Sequence, residues 1–155
     1  MSPRTQTIAP LALDVPFAFT PEAGVPFPVL FQTEDETVLI YRGCGVLVVR
    51  FDRCHITRFG YPNDEALSGH PLYASGLQAY GVFEVHGSSW PAELEAQNRR
   101  VFPKSHAFEY RHFIFTFHDS TFECLADSVR IESLIEPLPE VVARVHSEIC
   151  ARLAR

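Results

Sequence analysis

Residues 111–127, RHFIFTFHDSTFECLAD, decide what kind of fold this chain has. Phe113, Phe115 and Phe117 alternate with His112, Ile114 and Thr116, and after the polar break Asp119-Ser120 a second run begins at Thr121. Period-two alternation of aromatic and polar residues around a short break is the signature of a β-hairpin. Two registers suit the pattern. A two-residue loop pairs His118 with Thr121 and sets Phe117 opposite Phe122, Phe115 opposite Cys124 and Phe113 opposite Ala126. A three-residue loop pairs Phe115 with Glu123 and Phe113 with Leu125. A one-residue slip moves a whole set of side chains to the other face, so the first register, which keeps the aromatics together, is expected. Asp-Ser is a weaker turn pair than Asn-Gly, and a four-residue loop with the same pairing is an alternative.

The other face of this hairpin is mixed: His118 with Thr121, Thr116 with Glu123, Ile114 with Leu125, His112 with Asp127. It suits a lightly covered surface or a pocket wall. At about 3.3 Å per residue, His112 and His118 lie roughly 20 Å apart and cannot share a metal. Two separate pairs are expected instead: His118 diagonal to Glu123, and His112 opposite Asp127.

Further strands surround this hairpin. FPVLFQT, TVLIYRG, GVLVVRFDR and CHITRFG follow one another between acidic or glycine breaks and read as a meander; YGVFEVHGS reads as another strand. SSWPAELEAQNRRV reads as a helix near 90–101, with Pro91 in its first turn, Glu93 and Glu95 near its start and Arg99 and Arg100 at its end. The second helix spans 138–154, with Val142, Val145, Ile149 and Leu153 on one face. A bend near Ala126–Ser128 links the hairpin to SVRIES. Residues 61–77, rich in Pro, Asn, Asp and Gly, read as a long loop, and such loops are commonly functional. Residues 1–28 hold half of the 12 prolines and read as an extended arm with one short edge strand, covering a sheet edge.

The expected fold is therefore a single α+β domain over 1–155. A twisted, mostly antiparallel sheet of about six to eight strands, with a partial barrel as the alternative, packs on two helices. The β-rich body spans 29–133. Thirteen Phe and five Tyr in 155 residues call for an enclosed aromatic interior.

Bulk properties bound the function. A net charge of -6 argues against general nucleic-acid binding, which depends on Lys and Arg neutralising phosphates. No run reaches 18 apolar residues, so no membrane-spanning helix is expected, and Asp14 and the early prolines interrupt any leader-like stretch. Cys44, Cys54, Cys124 and Cys150 form no C-x-x-C pair, which points to free thiols in a cytoplasmic setting.

The candidate chemistry is histidine with carboxylate. His supplies an acid or base near neutral pH, and a carboxylate sets its tautomer and orientation. His118 with Glu123, and His86 with Glu84 on one face of YGVFEVH, are the expected catalytic pairs. Arg111, His112, Asp64 and His70 are the expected substrate-binding residues, the last two from the 61–77 loop. No metal-ligand spacing occurs, so no cofactor is expected; a metal would need Glu84 and His86 to join His118 and Glu123. Serine catalysis is not expected either, because G-x-S-x-G is missing and HGSSW reads only as a helix start. Cys124 falls on the phenylalanine face, where a thiol is inert. The reading is a small enzyme or small-molecule-binding protein. The alternatives are a non-catalytic interaction module, such as an inhibitor or immunity-type partner with an acidic surface, and a homo-oligomer clasped by the arm.

Overall fold

A computed structural model describes residues 5–10, 19–107 and 109–155. Its strands are β1 (Thr7–Pro10), β2 (Val29–Gln32), β3 (Thr37–Gly43), β4 (Gly45–Asp52), β5 (Ile56–Gly60), β6 (Val82–His86), β7 (Arg111–Thr116), β8 (Thr121–Ala126) and β9 (Ser128–Leu134). Its α-helices are α1 (Trp90–Arg99) and α2 (Leu138–Leu153). The strands form two antiparallel sheets, ordered β1-β6-β7-β8-β5 and β2-β3-β4-β9. The α+β class, the antiparallel pairing and the two helices are as the sequence indicates. The sheet number is not: among the described residues, nine strands stand in two facing layers that do not close into a barrel.

Two strand pairs change sheets at one level. The chain leaves β4 at Asp52, turns at Arg53 (φ 46°) and enters β5 in the other sheet. Beside it, β8 ends at Ala126, bends at Asp127 and continues as β9, at the bend expected near 126–128. Asp127 N–H donates to Asp52 O (3.0 Å), and Arg53 pairs with the Asp127 carboxylate. Ser128 Oγ and Arg130 Nη2 donate to the two Asp52 oxygens at 2.6 and 2.9 Å, which holds that carboxyl below its usual range. The corner that joins the sheets is thus pinned by charge-assisted bonds.

The main core lies between the layers. Phe113, Phe115, Phe117, Phe122, Cys124 and Ala126 meet Leu39, Tyr41, Leu47, Val49 and Phe51. The rings of Phe115 and Tyr41, Phe51 and Phe122 pack edge-on, with centroids 5.8–6.0 Å apart. Tyr41 is fully buried, and its hydroxyl donates to Phe19 O at 2.6 Å. Burial drives its phenol far up. The phenylalanine face is therefore the core face, and Cys124 is sealed within it.

The hairpin register is shifted by two residues from the expected one. Thr116 pairs with Thr121, Phe115 with Phe122, Ile114 with Glu123, Phe113 with Cys124 and His112 with Leu125. The loop is four residues long, closed by Phe117 N–H donating to Ser120 O (2.8 Å). An even slip keeps every side chain on its own face while changing each partner.

Helix α2 covers the outside of the second sheet. Leu138, Val141, Val145 and Ile149 pack on Val38, Ile40, Val46 and Val48. The buried stripe has the expected spacing but starts one turn earlier than Val142–Leu153, and Leu153 is exposed. The outside of the first sheet is covered by residues 61–81. This segment is not a featureless loop. It contains two 3₁₀ turns, Leu67–Gly69 and Tyr73–Ser75, and seats Leu67, Leu72 and Leu77 on Phe83, Val85 and Ile114. Strand β1 supplies the expected edge strand on β6, while residues 11–18 of the apolar arm lie outside those described.

Candidate functional site

Glu123 stands on the outer face of β8, directly opposite Ile114 and diagonal to His112. The two-residue shift makes this geometry, since in the expected register the diagonal neighbour was His118. His112 Nε2–H donates to Glu123 Oε2 at 2.8 Å, and His70 Nε2–H, carried in on the covering segment, donates to Oε1 at 2.8 Å. Glu123 is only 7% exposed and His112 only 4%. Burial pushes the carboxyl up, but the His112 and His70 hydrogen bonds outweigh it and bring Glu123 down to about 2. It is an ionised acceptor near neutral pH.

The other ring nitrogens assign the roles. Leu72 N–H donates to His70 Nδ1 at 3.1 Å, which fixes His70 as the neutral Nε2–H tautomer. His70 is a clamp. His112 Nδ1 instead meets a hydroxyl, Ser88 Oγ, at 2.8 Å. The polar chain runs Ser88, His112, Glu123, His70. It forms one wall of a cleft of about 450 Å³. Trp90 packs edge-on against the His112 ring (centroids 5.1 Å apart) and carries the Arg58 guanidinium 4.0 Å above its own ring. Arg58 sits opposite Glu123 on β5. Thr5 and Gln6 of the arm line the far side.

His118 and Glu123 do not meet. His118 lies at the hairpin tip, where its Nδ1–H donates to Asp64 Oδ2 at 2.9 Å; the Tyr80 hydroxyl donates to the same oxygen at 2.6 Å. The Tyr80 and His118 bonds hold the Asp64 carboxyl below its usual range, and the Asp64 bond in turn raises the His118 imidazole above its ordinary value. Tyr80 takes the left-handed backbone (φ 56°), costly for an aromatic residue. This cluster fastens the covering segment to the hairpin, and Asp64 N–H donating to His118 O (2.9 Å) doubles the attachment. Asn63 caps the following turn through its Oδ1, which accepts from Ala66 N–H at 3.0 Å. In Asp64→Asn, the His118 titration followed by NMR should move down toward the ordinary histidine value near 6.5. An unmoved midpoint would show that Asp64 does not set it.

Glu84 and His86 point to the opposite side of the first sheet from Glu123, because Glu84 pairs with Phe113 of the core face. Glu84 takes a two-pronged ion pair from Arg111 (2.8 and 2.8 Å), whose guanidinium lies 4.8 Å over Phe113. Arg111 lowers the Glu84 carboxyl, and Arg111 is engaged with it rather than with the cleft. His86 is exposed at the end of β6. His112 and Asp127, expected opposite each other, are also apart: Asp127 sits at the sheet corner with Arg53.

Of the expected residues, then, His70, His112 and Glu123 come together, His118 joins Asp64 elsewhere, and Glu84 joins Arg111. Ser88, Trp90 and Arg58 are not among the site residues expected from the sequence. Ser88 and Trp90 look like an ordinary helix start, and no local spacing ties Arg58 to Glu123. Among the described residues no group of three or more His, Cys, Asp or Glu is arranged to hold a metal ion. No helix among them is long and apolar enough to cross a membrane. No family model, curated protein or solved structure matches the chain.

Proposed function

We propose that this protein is a small enzyme that binds a small molecule in the cleft beside Trp90 and performs acid–base chemistry with His112. One observation carries the reading: a buried, ionised Glu123 orients His112 through Nε2 while the imidazole's Nδ1 is presented to a hydroxyl at the cleft. Glu123 fixes the imidazole so that Nδ1 faces the hydroxyl and is placed to take its proton. His70 holds the second carboxylate oxygen, so Glu123 cannot swing away. His70 and Glu123 are positioning residues; His112 is the acid–base group. A histidine-held carboxylate in a purely structural role would need no cleft against it.

The competing reading is a non-catalytic interaction module. The net charge of -6 and the exposed Val101 and Phe102 favour it. Tryptophan fluorescence separates the two, because Trp90 is the only tryptophan and lies in the cleft. A screen of small polar molecules should yield ligands that change Trp90 emission, with binding weakened about tenfold or more in Arg58→Ala and Glu123→Gln. Ligands that bind both variants as tightly as the unaltered chain, or none that moves Trp90, would remove the cleft from consideration.

A further inference from the structure

We infer that Ser88 is a covalent nucleophile and that the cleft catalyses acyl transfer from a small carboxylic ester; the inference rests on the acid–base reading of the same cleft. Ser88 Oγ, His112 Nδ1, His112 Nε2 and Glu123 Oε2 form one continuous chain with both links at 2.8 Å. That is the order nucleophile, base, orienting carboxylate, which is recognised by geometry and roles rather than by sequence position. A G-x-S-x-G elbow is one way to expose a serine at such a base. Here another device serves. Gly87 adopts a left-handed conformation (φ 69°) that residues with a Cβ rarely take, and the chain turns out of β6 so that Ser88 comes back over the sheet to His112.

Ser88 Oγ also accepts a hydrogen bond from Trp90 N–H at 3.2 Å. This contact belongs to the start of α1, and it does not compete with the catalytic role. It occupies an oxygen lone pair and leaves the hydroxyl proton for His112 Nδ1. An N–H aimed at Oγ, at the positive end of a helix, also stabilises the oxygen as its proton leaves. Arg58 lines the same cleft, and no carboxylate ion pair engages it among the described residues. It is the cation available to the carbonyl oxygen as negative charge develops there.

The balance of the step is as follows. Ser88 Oγ attacks the ester carbonyl carbon and its proton passes to His112 Nδ1. The tetrahedral intermediate collapses, the bond to the leaving alkoxide oxygen breaks, and His112 returns that proton to it as the alcohol. Water then attacks the acyl-serine and gives a proton to His112. The carboxylic acid departs, and the proton returns to Ser88 Oγ. No oxidant, reductant or metal enters.

The test is to mix the full chain with p-nitrophenyl acetate and with a fluorophosphonate probe, follow p-nitrophenolate release, and locate the adduct by peptide mass spectrometry. One acyl or phosphonyl group should appear per chain, on Ser88 and not on Ser89. Ser88→Ala should abolish it. Ser147→Ala, whose hydroxyl only bonds back to Ala143 O on α2, should label like the unaltered chain. His112→Gln should slow labelling about 10²–10⁴-fold. If that variant fails to fold by circular dichroism, the solvent deuterium isotope effect on Ser88 labelling in the unaltered chain replaces it: a rate about twofold lower in heavy water is expected for proton transfer to His112, and an unchanged rate would overturn the inference. Adducts at Ser89 in place of Ser88, or unchanged labelling in Ser88→Ala, would overturn the inference. If Ser88 stays unmodified while cleft ligands still move Trp90 fluorescence and depend on Glu123, serine catalysis fails and the acid–base reading stands.

Discussion

Glu123→Ala should lower the stability of the fold by about 2–6 kcal/mol, at about 1–3 kcal/mol for each of two buried imidazole donors left without an acceptor. The reason is the double use of this carboxylate. His70 Nε2–H and His112 Nε2–H each have it as acceptor at 2.8 Å, and removing it leaves two buried donors unsatisfied as well as a void. The covering segment depends on the same bond, because His70 belongs to it. Urea unfolding followed by Trp90 fluorescence and far-ultraviolet circular dichroism measures the effect. A loss under about 1 kcal/mol would mean that Glu123 behaves as an exposed ion pair does.

The acid limb gives an independent check. The Glu123 carboxyl is depressed from an unfolded value of 4.5 to about 2 in the fold. A depressed carboxylate contributes stability that is complete above the unfolded value and is lost as pH falls toward the folded one. The window is therefore about pH 4.5 down to about 2, and the loss is roughly 3 kcal/mol at about 1.4 kcal/mol per unit. In Glu123→Gln this part of the pH dependence should vanish. A variant whose stability falls with acid as steeply as the unaltered chain's would assign the acid sensitivity to other carboxylates.

Phe115→Ala should cost a similar amount, about 3–5 kcal/mol, through a different mechanism. Phe115 is fully buried, and its ring is surrounded by Tyr41, Phe51 and Phe122 from both sheets. Truncation loses the transfer energy of the ring and leaves a cavity that packed β-layers cannot collapse to fill. Tyr61→Ala is the natural comparison. Tyr61 is 80% exposed, and its replacement should stay within about 0.5 kcal/mol. Equal destabilisation by the two substitutions would contradict the layered core described above.

Both large effects fall on the 111–127 hairpin, and they show which of its properties were legible before folding. The alternation of Phe113, Phe115 and Phe122 with polar residues places one face in the core, and the structure puts it there. The same alternation is blind to a slip of two, since the side-chain period is two and both registers bury the same ring set. Only the four-residue turn Phe117–Ser120 breaks the tie. On that tie hangs the site: in one register Glu123 has His118 as its diagonal neighbour, in the other His112. The helix stripe on α2 tells the same story. Its spacing was readable, but that Leu138, Val141, Val145 and Ile149 are the residues that meet β3 and β4 was not.

By itself, the sequence determined the α+β class, the strand-rich body, both helices, the core face of the hairpin and the bend at Asp127, because each follows from local periodicity and turn chemistry. Tertiary structure alone decided that the strands split into two sheets, that residues 61–81 fold over the outside of the first, and that His70, Glu123, His112 and Ser88 line one cleft. Those four residues lie on two strands, the turn between β6 and α1, and the covering segment. What joins them is the burial of Leu67, Leu72 and Leu77 against Phe83, Val85 and Ile114. Hydrophobic burial is non-directional, so a one-dimensional pattern shows that these residues will be buried without showing which surface they will be buried against.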